Sequence, residues 1–125
     1  MADCKPENWL VGCWYIESME RWDRKYIDEE VRGYFEFDAR YSGDFQFGYV
    51  QGQIDYRLVE RDGKRAVEFT WDGQDEMDAV QGRGWMVLDG DRLKGRLFVH
   101  LGDDSGIVLK RKRARKPKTT GKRKT

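Results

Sequence analysis

An all-β fold, an eight-stranded antiparallel up-and-down barrel with a short helical lid, is what this 125-residue sequence predicts. Three observations predict it. Apolar and polar residues alternate with period two from about residue 11 to 110, Gly and Asp punctuate that alternation at short intervals, and helical spacing is confined to one stretch. Consecutive strands with one apolar face each must hide both those faces and the sheet edges, and closing a meander into a barrel does both. A two-sheet sandwich is the alternative, but it needs longer crossovers than this sequence offers.

The first strand is expected over 11–19, where Trp14 alternates with Cys13 and Tyr15. The second, 33–38, sets Phe35 and Phe37 against Tyr34, Glu36 and Asp38. The third, 44–50, places Phe45, Phe47 and Tyr49 on one face, and the fourth, 52–60, sets Ile54, Tyr56 and Leu58 against Gln53, Asp55 and Arg57. Val67, Phe69 and Trp71 alternate in the fifth, 65–72. The sixth, 82–88, leaves open whether Gly84-Met86-Leu88 or Trp85-Val87 faces inward. In the seventh, 92–101, Leu93, Leu97, Val99 and Leu101 oppose Arg92, Lys94, Arg96 and His100, and 105–111 makes the eighth. Glu36, Asp55, Arg57, Glu68 and Arg83 read as outward, solvated strand positions.

Around an up-and-down barrel, odd-numbered connections share one end and even-numbered ones the other. The even ones are tight: Ala39 to Gly43, Arg61-Asp62-Gly63-Lys64 and Asp89-Gly90-Asp91, with Asp-Gly a strong hairpin signal. Among the odd ones, 20–32 and 73–81 are long, and 102–105 lies beside them. Tyr26, Ile27 and Val31 in the first of these are near helical spacing, which predicts a lid over that end.

The run Trp9-Leu10-Val11-Gly12-Cys13-Trp14-Tyr15 resembles the G-x-W opening of the calycins: lipocalins, fatty-acid-binding proteins and avidins. The resemblance implies that Trp14 plugs the barrel floor and that a basic residue after the last strand, Lys110 or Arg111, packs across it. It implies fold and not function. Phe69 to Gly73, Gly82 to Trp85 and Gly102 to Ser105 are similar to a small group of uncharacterised bacterial proteins.

Pockets of barrels lie in their mouths, so the long-loop end is the expected site of a non-catalytic binding module. Trp22, Tyr26, Tyr49 and Trp71 are the candidate lining for a small, apolar ligand cavity there, with a protein partner at the same loops as the other option. Carboxylates gather at the same end, and Asp72, Asp75, Asp78 and Asp103 are the candidate ligands for a hard cation, although no calcium-loop motif is present. No nucleophile elbow, Walker loop or dinucleotide fingerprint occurs. The single His, His100, reads as a surface residue, with a haem ligand as the alternative that the calycin resemblance keeps open. Neither catalytic residues nor a cofactor are assigned.

Val11, Cys13, Tyr15, Phe98 and Val108 are expected to form an outer apolar stripe on neighbouring strands, which would make a homodimer contact. Residues 110–125 carry ten basic residues and no acid, leaving 14 basic against 23 acidic residues in 1–109, a body of net −9. The chain therefore divides into a barrel, 1–110, and a basic tail, 111–125, expected to be disordered. Lys110, Arg111, Lys112, Arg113, Arg115 and Lys116 are its candidates for weak, non-specific nucleic-acid contact through phosphates. The polar start lacks a signal segment and no membrane span is present, so the expected address is cytoplasmic, with Cys4 and Cys13 as free thiols.

Overall fold

The three-dimensional structure is a computed structural model that describes residues 8–112. Its strands are β1 (Gly12–Met19), β2 (Tyr34–Phe37), β3 (Ser42–Phe47), β4 (Val50–Arg61), β5 (Lys64–Asp75), β6 (Asp78–Asp89), β7 (Arg92–Val99) and β8 (Asp104–Arg111), with one helix, α1 (Arg24–Ile27), between β1 and β2. Each strand pairs antiparallel with the next, and β8 returns to β1, closing the barrel in sequence order. A register shift between Ile16 and Ser18 bends β1 where it meets β8. No helix among the described residues is long and apolar enough to cross a membrane.

Short connections, 38–41, 62–63 and 90–91, make the tight end. Asp62 and Gly63 both have positive φ, 51° and 77°, the combination that matches the right-handed twist of the flanking strands. At the other end α1 is capped by Asp23, whose carboxylate accepts from the Tyr26 amide at 3.0 Å. The Gly48 amide donates to the Ile27 carbonyl at 2.9 Å, so the short helix is pinned to the β3–β4 turn.

Inward side chains fill the bore. Trp14, Phe35, Phe37, Phe45 and Phe47 are all essentially inaccessible, and the Phe35 and Phe45 rings stack with centroids 4.6 Å apart. Three glycines make room for these rings. A methyl group at Gly52 would fall 2.5 Å from Cζ of Phe45, one at Gly84 would fall 2.9 Å from Cε1 of Phe69, and one at Gly82 the same distance from Nε1 of Trp71. Gly84 and Met86 therefore face inward and Trp85 outward, which settles the sixth strand.

Several expectations are corrected. The 73–81 loop does not exist: β5 and β6 run on to a two-residue turn, Glu76-Met77. The break comes there because Glu76 itself adopts positive φ, 57°, without a glycine to announce it. Tyr49 is not inward. The β3–β4 turn falls on Gly48-Tyr49, so the strand phase breaks after Phe47 and Tyr49 is exposed.

Candidate functional site

The loop end gathers three of the four expected ligand-lining residues but does not leave them a hole. Trp22 packs on Phe47 with centroids 5.0 Å apart, and Tyr26 stands 6.3 Å from Trp22 and 6.2 Å from Tyr49. Trp71 is buried apart from them, its ring 5.1 Å from that of Phe45. Charges from separate connections converge on these rings: Glu29, Glu30 and Glu76 raise the Tyr49 phenol, Glu29 foremost, while burial and then Asp75 and Glu76 raise Tyr26. The connections are thus neighbours, as sequence parity required, but they form a packed cap. No three His, Cys, Asp or Glu side chains among the described residues could together hold a metal ion. Asp75 and Asp78 pair across the β5–β6 turn, whereas Asp103 sits on another connection and binds Arg21 at 2.8 Å.

The opposite end is closed by the contact the calycin resemblance implied. The Arg111 guanidinium lies 4.2 Å over the Trp14 ring and donates to the carbonyls of Val11, at 3.2 Å, and Trp9. Trp14 in turn donates its Nε1 hydrogen to the Leu10 carbonyl at 2.9 Å. Arg111 is therefore part of the barrel floor and not of the tail. Lys110 is likewise in β8, and Lys112 follows it, while Arg113, Arg115 and Lys116 lie outside the described residues. Cys13 is a free thiol whose pKa burial pushes up, and Cys4 lies outside the described residues.

The outer stripe is interrupted. Arg32 covers Tyr15 at 3.8 Å, Arg83 covers Phe98 at 4.6 Å, and Val108 pairs between Lys94 and Ser18. Long basic side chains shield the aromatic faces, so Val11, Cys13, Tyr15, Phe98 and Val108 do not make one continuous apolar patch.

Concave surface lies on the outer wall of the barrel. Two adjoining cavities of about 810 and 560 Å³ share Asp55, Thr70, Arg83 and Phe98 and open on β4 to β7. Both lie away from the mouth, where the sequence had placed a small apolar cavity, and the side chains that point into the barrel are buried. The register sets the outward residues in rows. Asp55, Thr70, Arg83 and Phe98 make one row, with Arg57, Glu68, Trp85 and Arg96 on one side of it and Gln53, Asp72 and Gln81 on the other. His100 joins the last row through its amide, which donates to the Gln81 carbonyl at 2.6 Å. The shortest side chain, Thr70, lies between long ones, and this makes the floor of a groove.

The two walls of the barrel use their charges differently. On the β1, β7 and β8 side, Glu17 takes both Nε and Nη2 of Arg92 at 2.6 and 3.0 Å, and Arg96 bridges Glu20 and Asp104, each at 2.9 Å. Glu17 and Glu20 are held below the usual carboxylate range, Glu17 chiefly by its hydrogen bond to Arg92 and Glu20 by the Gly106 amide and then Arg96. In the groove, by contrast, no ion pair or side-chain hydrogen bond among the described residues engages Asp55, Arg57, Glu68, Asp72 or Arg83. Acceptors and donors therefore stand together there without an ionic or hydrogen-bonded partner among the described residues, beside two rings that Arg61 and Arg83 cover.

No family model, curated protein or solved structure matches this chain.

Proposed function

We propose that the protein is a non-catalytic binding module whose barrel interior is purely structural and whose working surface is the outer groove across β4 to β7. The observation that carries this reading is the pairing of an interior lined by buried rings with a polar external concavity whose carboxylates and guanidinium groups have no ion-pair or hydrogen-bond partner among the described residues. A ligand-binding site is a concave surface with a few convergent polar groups, and here that description fits the wall and not the mouth. The Arg111–Trp14 contact supports a calycin-like reading of the barrel, in which the interior of this member is occupied by its own rings.

A second reading, a site at the loop end, is favoured by Trp22, Tyr26 and Tyr49 meeting beneath carboxylates. Amide chemical-shift mapping of the full chain against a mixed panel of sugars, a nucleotide, a dipeptide and a fatty acid separates the two. Shifts clustered on Asp55, Thr70 and Arg83 are expected. Shifts clustered on Trp22, Tyr26 and Tyr49 would replace the first reading with the second, and no clustered shift with any compound would overturn both.

A further inference from the structure

We infer that the groove takes an uncharged oligosaccharide, an inference that rests on the groove being the working surface. The groove's charges nearly balance, with Asp55, Glu68 and Asp72 against Arg57 and Arg83. A phosphate or nucleic-acid strand would have to approach three carboxylates, and like charges at close range disfavour it. A lipid tail would strand these side chains without hydrogen-bond partners, at a cost for each polar group removed from water. An extended peptide has no edge to pair with, since the barrel is closed, and strand addition depends on a free edge.

A neutral sugar meets none of these objections. Its hydroxyls each donate and accept, and the groove offers acceptor-only carboxylates, donor-only guanidinium groups, and Thr70, Gln53 and Gln81, which do both. Its C–H groups need apolar surface, and Trp85 and Phe98 border the floor, each with a guanidinium over one ring face, Arg61 at 4.2 Å and Arg83 at 4.6 Å. Phe98 also holds the Arg83 guanidinium against its ring at 4.6 Å, so this planar donor is oriented before any ligand arrives and loses less freedom on binding. The adjoining volumes, about 810 and 560 Å³, form a track along several residues and suit a short chain of sugar units better than one.

The test is isothermal titration of the full chain with neutral hexasaccharides of α-glucan, β-glucan and chitin type. Arg83→Ala and Thr70→Arg, both at exposed positions, are titrated alongside, and Glu29→Gln at the loop end serves as control. Circular dichroism verifies that each variant keeps the barrel. Saturable binding of at least one hexasaccharide is expected, weakened roughly tenfold or more by either groove variant and unchanged by the control. If no hexasaccharide binds while the nucleotide or dipeptide shifts the groove amides, the sugar assignment falls and the groove reading survives. If a hexasaccharide binds equally to wild type and both groove variants, the site is elsewhere and both fall.

Discussion

Arg111 ties the last strand to the turn that precedes the first. Its guanidinium serves a ring and two carbonyls at once, and burial lowers its pKa without removing its charge. Arg111→Ala should destabilise the barrel by about 1–3 kcal/mol in urea unfolding, and Arg111→Lys should not restore the loss, because an ammonium cannot stack flat on Trp14 while reaching both carbonyls. At Tyr34, burial and then the hydrogen bond to Asp44, at 2.6 Å, push the phenol from its ordinary value near 10 up to about 12. The folded chain therefore keeps this proton longer than the unfolded one. That contribution is whole below about pH 10 and is lost as pH rises to about 12. Alkaline denaturation of Tyr34→Phe should be less steep across this window than that of the wild type, and equal slopes would remove the claim.

Among the elements, the glycines decided what could be read. Gly63 and Gly90 act as punctuation, both with positive φ at two-residue turns, and the hairpins they mark were legible. Gly73 and Gly82 have the same letter and another use: they lie within β5 and β6, where the chain needs close approach and not a turn. Reading them as loop boundaries produced a connection that the structure replaces with two continuous twelve-residue strands. Gly52 is the sharpest case, since it sits inside β4 beneath the Phe45 ring. Gly52→Ala should cost about 1–3 kcal/mol through overpacking. Adding Phe45→Leu should recover part of that loss, and strict additivity in the double-mutant cycle would show that the two sites do not touch. The Glu76-Met77 turn carried no signal at all, because a non-glycine residue took the left-handed conformation.

For the whole molecule, period-two alternation and turn chemistry determined the strand count, the inward aromatic set apart from Tyr49, and the sequential closure that makes odd connections neighbours. These are local or nearest-neighbour properties, since each strand's apolar face and each Asp-Gly turn constrain the next pairing directly. The same alternation made Asp55, Arg57, Glu68 and Arg83 look like ordinary solvated positions, and one by one they are outward and exposed. What set them apart was cross-strand register and partnership: three rows on one wall surround a short threonine, while the charges of the other wall neutralise one another. Whether the bore was filled was also beyond the sequence, because ring volume competes with space that opposing glycines release only when register brings them together. The sequence by itself determined a closed barrel and its two ends; the tertiary structure decided which outward residues share a concave wall and which charges pair, because concavity and charge pairing are relations between residues far apart in the chain.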